Sequence, residues 1–389
     1  MKPFRASLLR EIRRFGADRA IMIVSVVIPV VVSVLFVFMF ARGTIHNLPI
    51  AVYDADQSPA SMQLVRMIGA TPSLDISKQI TSVEEGERYL LDGSINAFVY
   101  IPQGFESNIM SNSRAEVAAY VNGAFITTSA VIRRDLTTVF QAMNIGVETQ
   151  LLGNRGIPAS QGFQMAYPVT FDKHILFNPY GSYAYYLLPA LLPLLLIIAV
   201  SLTTSYVLGS EFRYGTAAEW IHAAGGSVSR AVTAKLAPYF LIFIIIMLFM
   251  NTLLYRFLGL PFHATSVSLM LAGSIFLIMA YMAVGIFLVA VSANLRFSLS
   301  ISVAYGIAAL SFAGLTFPMV AMYKPIAFFS HFFPFTYYID LFVEQSMRGA
   351  PPARSLADIG AMGIFILIGF AILPVLKRKA LDSKFYGKL

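Results

Sequence analysis

Six long apolar stretches are distributed unevenly along this chain of 389 residues, with one near the start and five in the second half. The first covers residues 20–41 and contains no charged residue. A helix rises about 1.5 Å per residue, so about 20 apolar residues cross the hydrocarbon of a bilayer. The pattern predicts an α-helical polytopic membrane protein with six spans in a 1+5 arrangement. The five later spans, within a block at 183–376, are predicted at 183–208, 236–257, 269–292, 299–320 and 356–376.

Composition supports this class and excludes several chemistries. Hydrophobic residues make up 57% of the chain and charged residues only 12%, and the mean hydropathy is +0.71. These values are too apolar for a soluble protein of this length. The chain has no cysteine, which excludes disulfides, cysteine metal sites and a thiol nucleophile.

The positions of the charges predict the orientation in the membrane. Basic segments lie before the first predicted span and after the last one. By the positive-inside rule they place both termini in the cytoplasm, which requires an even number of spans. Residues 43–181 are then extracytoplasmic, and their twelve acids against eight bases leave four net negative charges. Topology therefore accounts for the net charge of +8 without a nucleic-acid partner. The bases are Lys2, Arg5, Arg10, Arg13, Arg14 and Arg19 in the leader, and Lys377, Arg378, Lys379, Lys384 and Lys388 in a basic cytoplasmic tail at 377–389.

The leader at residues 1–19 has a helical pattern of its own. Phe4, Leu8, Ile12 and Phe15 recur at helical spacing, with bases on the other side. We expect an interfacial helix with its apolar face toward the membrane lipid, and the alternative is that the bases act only on topology. A cleaved signal peptide is disfavoured because the apolar stretch after the leader exceeds the usual 7–15 residues.

The polar region between the first two predicted spans has the pattern of an inserted α/β domain. Strands are predicted at 48–53, 74–80, 95–101 and 117–121, with helices at 60–68, from a Ser82/Glu85 capping box to 91, from Pro102 to 110 and at 124–152. Asp54 and Asp56 flank a turn, where acids usually cap helices rather than bind a metal. No catalytic or metal site is predicted here.

The loop at 209–235, between the second and third predicted spans, combines charges with a short helical pattern. Thr216 followed by Glu219 predicts a capping box that opens an amphipathic helix, and Trp220, the only tryptophan, suits an interfacial anchor. A rigid charged segment that continues into two spans is a surface on which a mechanical partner can push.

These residues resemble a known family. Glu-Phe-Arg-Tyr-Gly-Thr at 211–216, with Glu219 and Lys235, resembles the coupling-helix signature of the type 2 family of ABC exporter permeases. Val-Tyr-Asp-Ala-Asp at 52–56 with Ser58, and Ala-Phe-Val-Tyr-Ile-Pro-Gln-Gly-Phe at 97–105, are similar to the large extracytoplasmic domain of its multidrug-type members. Phe-Pro-Phe-Thr-Tyr at 333–337 and Gly349 resemble the segment before the last span. The resemblance covers essentially the whole chain. Where related loops often have a proline, this one has Ala-Ala-Gly-Gly at 223–226.

The resemblance implies partners and a location. ABC ATPase subunits that hold ATP and Mg would dock on the loop, a second permease would complete a homodimer or a sister heterodimer, and a periplasmic adaptor is left open. The implied location is a bacterial inner membrane, in contact with its lipid. No G-x-x-x-x-G-K-[ST] phosphate loop occurs in the sequence, so no cofactor is expected in this chain. The alternative for the loop charges is an ordinary solvated surface. The residues expected to couple to the ATPase are Glu211, Arg213, Gly215, Thr216, Glu219 and Lys235.

Two further groups of residues are candidates for transport. Hydroxyls on the second and fifth predicted spans are candidates for the pathway, although hydrogen bonds between helices or to the backbone explain most such residues singly. The segment at 317–352 is too interrupted to span and predicts re-entrant or interfacial helices on the outer side, with an aromatic belt as the alternative. The pathway candidates are Ser201, Thr204, Ser205, Ser298, Ser302, Tyr305 and Ser311, and the outer-gate candidates are Pro318, Pro334, Tyr337 and Gly349.

The sequence favours an ATP-driven exporter permease for amphiphilic, drug-like or lipid-like molecules. Alternatives are a lipid or polysaccharide export permease of the same fold, and a membrane-anchored sensor or scaffold with an outer ligand-binding domain. A membrane-embedded enzyme is disfavoured because the five histidines are scattered, and ion-driven transport is disfavoured because no acid or base lies deep in a predicted span. The sequence does not identify the substrate.

Overall fold

The computed structural model describes residues 2–41, 43–111, 113–166, 176–178, 181–260 and 267–387. It divides into two compact units. The first, here called the bundle, is Met1–Gly43 with Ile175–Leu389, and the second, the inserted unit, is Thr44–His174.

Among the described residues, six helices of the bundle are long and apolar enough to cross a membrane, as the sequence predicts. The second span packs against the fourth and fifth, and the fourth also packs against the sixth, so these helices form its centre. Before the first span lies a leader helix, Lys2–Ala17, which packs against the third span. The first to sixth spans are Arg19–Met39, Ala184–Arg213, Val228–Phe257, Val267–Ser292, Leu295–Phe312 and Pro352–Ala380.

Two span boundaries differ from the sequence prediction for physical reasons. The fifth span ends at Phe312 rather than near residue 320, because Gly314 adopts φ +80° and Pro318 cannot continue a helix. The third span begins at Val228 rather than near 236, since Ser227 caps the helix by accepting a hydrogen bond from the Arg230 N–H at 3.5 Å. Hydropathy misses residues 228–235, about two turns, because this part of the helix contains Ser229, Arg230, Thr233 and Lys235.

The segment before the sixth span is a bent pair of helices, as its interrupted pattern predicts. Lys324–Ser330 and Pro334–Arg348 meet at 87°, and a seventh span results if the pair is counted as one. Pro334 lies in the first turn of the second helix, Tyr337 donates a hydrogen bond to the His331 carbonyl at 3.2 Å across the bend, and Gly349 ends the helix with φ +61°.

The inserted unit contains the predicted four-stranded sheet. Its strands are β1 (Leu48–Asp54), β2 (Leu74–Gln79), β3 (Ala97–Ile101) and β4 (Ala118–Val121), in the order β2-β1-β3-β4. β1 pairs in parallel with β2 and β3, whereas β3 and β4 are antiparallel, with Ile50 opposite Ala97 and Val99 opposite Ala119. The helices are α1 (Pro59–Gly69), α2 (Val83–Leu91), α3 (Phe105–Met110), α4 (Ile126–Asn154) and α5 (Ala159–Ala166).

The local signals in the inserted unit are mostly confirmed. Ser82 caps α2 by accepting from the Glu85 N–H at 3.2 Å, but the Glu85 carboxylate accepts from the Thr81 N–H at 2.9 Å rather than from Ser82. α3 begins at Phe105 and not at Pro102, because Gly104 precedes it with φ +84°. A left-handed residue at this point delays the start of the helix.

Asp54 and Asp56 satisfy backbone groups, as predicted. Asp54 Oδ1 accepts from the N–H groups of Asp56 and Gln57 at 3.1 and 2.9 Å. Asp56 accepts from the Gly104 N–H at 2.7 Å and from the Glu106 N–H at 3.0 Å, at the start of α3. The second carboxylate thus joins the end of β1 to the end of β3.

Candidate functional site

The loop between the second and third spans contains a short helix, Ala217–Ala223, here called the loop helix. Gly215, with φ +72°, turns the chain out of the second span, and Gly225 and Gly226, both with positive φ, turn it into the third. Ala217, Trp220, Ile221 and Ala224 are buried at helical spacing, whereas Glu219 and His222 are exposed. The loop helix therefore lies with one face on the bundle and the other open.

Beside the loop helix is a buried group of charged side chains, here called the ion cluster. Lys235, near the start of the third span, places Nζ 2.8 Å from Glu11 Oε2 and 2.6 Å from Glu211 Oε1. Each of these three residues is only 1% exposed. Glu11 belongs to the leader helix and Glu211 to the last turn of the second span. The cluster therefore joins three helices.

The remaining members of the ion cluster saturate the two carboxylates. Tyr239 donates to Glu11 Oε1 at 2.8 Å, and Thr216 donates to Glu211 Oε2. Arg14 contacts Glu211 Oε1 at 3.1 Å and also donates to Ser210 Oγ at 2.6 Å. Arg10 also lies 3.7 Å from Glu211 Oε2, so three cations face two carboxylates. Buried ions are tolerated only when they are paired and hydrogen-bonded in this way.

Trp220 packs against the ion cluster, and its ring centroid lies 5.6 Å from Lys235 Nζ. The expectation of an interfacial anchor is wrong, since Trp220 is 1% exposed and belongs to the core of the bundle. An ammonium at this distance from an indole ring gains a cation–π attraction. The loop helix is thereby fixed to the same group of ions as the leader helix.

The structure separates the six predicted coupling residues into two groups. Arg213, Gly215 and Glu219 are exposed, whereas Glu211 and Lys235 are buried and paired inside the chain. Thr216 occupies the N-cap position of the loop helix, but its hydroxyl makes no capping bond there and donates to Glu211 instead. The predicted Thr216/Glu219 capping box is therefore wrong. A carboxylate offers a stronger, charge-assisted acceptor for the hydroxyl.

The leader helix packs one face on the bundle, and the orientation of its apolar stripe toward lipid stays a prediction. Ile12, part of the predicted apolar stripe, is 49% exposed, whereas Ser7 and Glu11 are buried. Phe15 of that stripe packs edge-on against Tyr239, with ring centroids 5.8 Å apart. Sequence reasoning missed Glu11 and Tyr239. The available signal was that Glu11 is one of only two acids, with Asp18, in a leader that carries six bases.

The pathway candidates mostly join helices to one another. Ser205 and Ser302 hydrogen-bond at 2.9 Å between the second and fifth spans, and Ser298 bonds to Ser292 Oγ at 2.8 Å. Tyr305 donates to the Phe332 carbonyl at 2.5 Å, and Ser311 is exposed. Among the described residues, the buried hydroxyls of Ser201 and Thr204 have no hydrogen-bond partner. The packing alternative therefore accounts for Ser205, Ser298 and Ser302.

Of the outer-gate candidates, three lie in or next to the bent pair of helices described above, Pro334, Tyr337 and Gly349. Pro318 precedes a single 3₁₀ turn, Met319–Ala321, and is exposed. Pro334 is buried within the first turn of its helix. Pro318 and Pro334 therefore lie at the starts of helical turns, Tyr337 bonds across the bend, and Gly349 ends the segment.

An apolar cavity of about 270 Å³ lies between the third, fourth and sixth spans. Phe240, Met282 and Phe370 are among the residues that line it, and Ser229 and Thr233 lie at one end. None of the seven pathway candidates lines this cavity. It offers room for an apolar group away from the hydroxyls of the second and fifth spans.

In the part of the chain that the structure describes, six helices of spanning length and a small α/β unit between the first two define an integral membrane protein. Residues 19–373 match the family described as ABC-2 family transporter protein, and the chain belongs to that family. It is an ABC-2 type transporter permease, as the motifs predict.

Named relatives point in the same direction at low identity. The chain is similar to the probable multidrug ABC transporter permease YbhS of Escherichia coli strain K12, with 19% identity over 364 residues and 91% of each chain covered. The YbhS protein of Escherichia coli O157:H7 matches to the same extent. The similarity therefore extends across both units.

Proposed function

We propose that this permease exports amphiphilic or hydrophobic compounds, drug-like or lipid-like, and that a separate ATPase subunit drives it from the loop helix. The proposal is supported by membership of the ABC-2 family and by similarity to a relative described as a probable multidrug permease. The sequence contains no phosphate loop of its own, so the hydrolysis of ATP falls to a partner.

The observation that carries the proposal is the attachment of the loop helix. One face is buried beside the ion cluster, and the open face presents the exposed side chain of Glu219. Arg213, also exposed, ends the second span just before the loop helix. A partner that pushes on the open face acts on a segment joined to the leader helix and to the second and third spans. Such a segment transmits force only if it does not deform locally. The buried ion pairs of the cluster keep it rigid because separating them is energetically costly.

In this proposal Arg213, Gly215 and Glu219 contact the ATPase, whereas Glu211, Thr216 and Lys235 support the loop from within. This division follows their exposure, since a carboxylate already surrounded by Lys235, Arg14 and Thr216 has little capacity left for another protein. Coupling by the buried residues is therefore indirect.

The proposed orientation places the loop helix and both termini in the cytoplasm and the inserted unit outside the bacterial inner membrane. The bases of the leader and tail support it through the positive-inside rule. A second permease, identical or a sister chain, completes the pathway, and a periplasmic adaptor is an additional candidate partner. The bent pair of helices would then lie at the outer end of the bundle.

The apolar character of the cargo is supported by the absence of charge on the surfaces available to it. The cavity between the third, fourth and sixth spans has an almost entirely carbon lining, and the pathway candidates are neutral hydroxyls. A polysaccharide requires many hydrogen-bonding groups along its path, so it is the weaker alternative.

The experiment measures recruitment of an ABC ATPase subunit to this permease. Purified permease in nanodiscs is titrated with that ATPase, and ATP hydrolysis is recorded with and without a fluorescent hydrophobic dye. The substitution Glu219→Lys is expected to weaken binding by about tenfold, because reversed charge at a contact acts directly on association. Glu87→Lys, an exposed glutamate of α2 in the inserted unit, is the matched control and is expected to leave binding unchanged.

Two results would overturn the proposal. Unchanged binding for both Glu219→Lys and Arg213→Glu would remove the loop helix as the docking surface. ATP-dependent dye movement in vesicles that contain the permease without any ATPase would show that energy enters by another route.

A further inference from the structure

The loop helix lacks a cap from its own sequence. The first four N–H groups of any helix have no partner within the helix, and the N-cap side chain normally accepts from the second or third of them. Thr216 holds the N-cap position with φ −95° and ψ 7°, but its hydroxyl is directed to Glu211. The N–H group of Ala218, the second residue of the helix, needs an acceptor from elsewhere.

That acceptor is the side chain of Tyr386, which lies 168 residues further along the chain. The Ala218 N–H donates to the Tyr386 hydroxyl at 3.1 Å. The same hydroxyl donates to the Ala380 carbonyl at 2.6 Å, at the end of the sixth span. One tyrosine oxygen therefore bridges the first turn of the loop helix and the last turn of a membrane helix.

Three further contacts hold Tyr386 in this place. The Gly387 N–H donates to the Phe212 carbonyl at 3.1 Å, at the end of the second span. Lys379 lies over the Phe385 ring and donates to the Val291 carbonyl at 2.5 Å. A Cβ at Gly215 would lie 3.7 Å from the Tyr386 ring, so the ring passes close to the turn before the loop helix. The segment that ends at Gly387 is thus fixed to the second, fourth and sixth spans.

We propose that Tyr386 is a positioning residue that caps the loop helix in place of Thr216 and links its movement to the sixth span. Capping depends only on the bundle itself. The link to the sixth span rests on the proposed function, since it matters only if a partner moves the loop helix. Because Tyr386 accepts from the Ala218 N–H, the Thr216 hydroxyl is free to donate to Glu211. The first residues of the loop helix are therefore bonded both to Tyr386 and to the ion cluster.

The first test uses the purified full-length permease with no partner. Hydrogen–deuterium exchange of the Ala218 amide is compared between wild type and Tyr386→Phe, which keeps the ring and removes the hydroxyl. Because this amide has no acceptor within its helix, we expect exchange to be about fivefold faster in the variant. Tyr323→Phe makes the same chemical change at an exposed tyrosine and is expected to leave Ala218 exchange unchanged.

A general loss of stability is separated from a local effect by two readouts. Faster exchange confined to the loop helix, with an unchanged thermal midpoint, supports capping. Unchanged exchange at Ala218, or equally faster exchange in the fourth span, overturns it. These results stand whether or not any ATPase binds.

The second test measures, after the ATPase is added, how much dye is moved for each ATP hydrolysed. Tyr386→Phe is expected to bind the ATPase as tightly as wild type but to move about threefold less dye per ATP hydrolysed, an effect of about 0.65 kcal/mol. Normal dye movement per ATP together with faster Ala218 exchange would overturn the link to the sixth span. Failure of wild type to bind any ATPase would instead count against the proposed function.

Discussion

The ammonium group of Lys235 lies 2.6 Å from the carboxylate of Glu211, and both side chains are buried, although the two residues are 24 positions apart with the whole loop helix between them. The pair therefore holds the end of the second span against the start of the third, on either side of the loop. Glu11 contacts the same ammonium at 2.8 Å, so the leader helix is held by the same cation. One lysine thus joins three helices through two ion pairs.

Replacing Lys235 by methionine is expected to lower stability strongly. The substitution preserves the length of the side chain but leaves Glu11 and Glu211 close together without their shared cation. Removing one partner of a buried ion pair typically costs about 3–5 kcal/mol. The measurement is the thermal midpoint of the purified permease, with Lys384→Met, an exposed lysine of the tail, as control.

The double variant Glu11→Gln with Lys235→Met is expected to be more stable than Lys235→Met alone, because Glu211 keeps Arg14 as a partner whereas Glu11 loses the cation that faces it. Equal midpoints for the single and double variants would contradict the pairing of Glu11 with Lys235.

Gly285→Ala in the fourth span is expected to destabilise the bundle. A Cβ at Gly285 would lie 2.8 Å from Thr204 Cβ and 3.2 Å from the Ser201 carbonyl, so the second and fourth spans would have to move apart. Overpacking of this kind costs about 1–3 kcal/mol. Gly360→Ala in the sixth span is the control, since its Cβ would meet nothing within 4 Å. Equal thermal midpoints for the two variants would show that the spans do not pack as described.

Ser205 and Ser302 are expected to act as a pair. Their hydroxyls lie 2.9 Å apart between the second and fifth spans. A double-mutant cycle with Ser205→Ala and Ser302→Ala should therefore give a coupling of about 0.6 kcal/mol, the usual value for such bonds within membranes. Strictly additive effects on unfolding would instead favour independent roles, such as contact with the transported compound.

The inserted unit is expected to become less stable in acid through Asp56. Its hydrogen bonds, first with the Ser58 hydroxyl and then with the Glu106 N–H, lower the pKa of this carboxyl below its ordinary value of 3.8. Because the folded pKa is depressed, the stabilisation is present above pH 3.8 and is lost as the pH falls through the folded value.

Asp56→Asn tests this at neutral pH in the full chain. Amide exchange at Gly104 and Glu106 should be faster than in wild type, because a neutral amide oxygen accepts these bonds more weakly. Glu84→Gln, on the exposed face of α2, is the control. Protection that is identical in Asp56→Asn and wild type would show that the charge at Asp56 contributes nothing.

The parts of the fold that depend on residues close together in the sequence are the parts that the sequence predicts. The six spans follow from hydropathy alone, and the four strands from short apolar runs bounded by turn residues. The end of the fifth span at Phe312 was missed because the residues after it remain apolar. Hydropathy does not report the positive φ of Gly314.

The ion cluster and the cap of the loop helix depend on contacts distant in sequence. The Thr216/Glu219 spacing is a valid capping signal, and it failed because Glu211 competes for the Thr216 hydroxyl. No sequence feature of Glu11 indicates that Lys235 is its partner. Tyr386 lies in the tail, where the sequence indicates only a basic charge and no contact with the loop helix. Such contacts become visible only after the helices are placed.

The separation of Glu11 from Lys235 also imposes an order on biogenesis. The two residues are 224 positions apart, so at a synthesis rate of about 5–20 residues per second Glu11 leaves the ribosome about 10–45 s before its partner is made. During that interval its carboxylate has to remain hydrated, because burial without a cation is too costly. We therefore expect the leader helix to dock on the bundle only after the third span has been made.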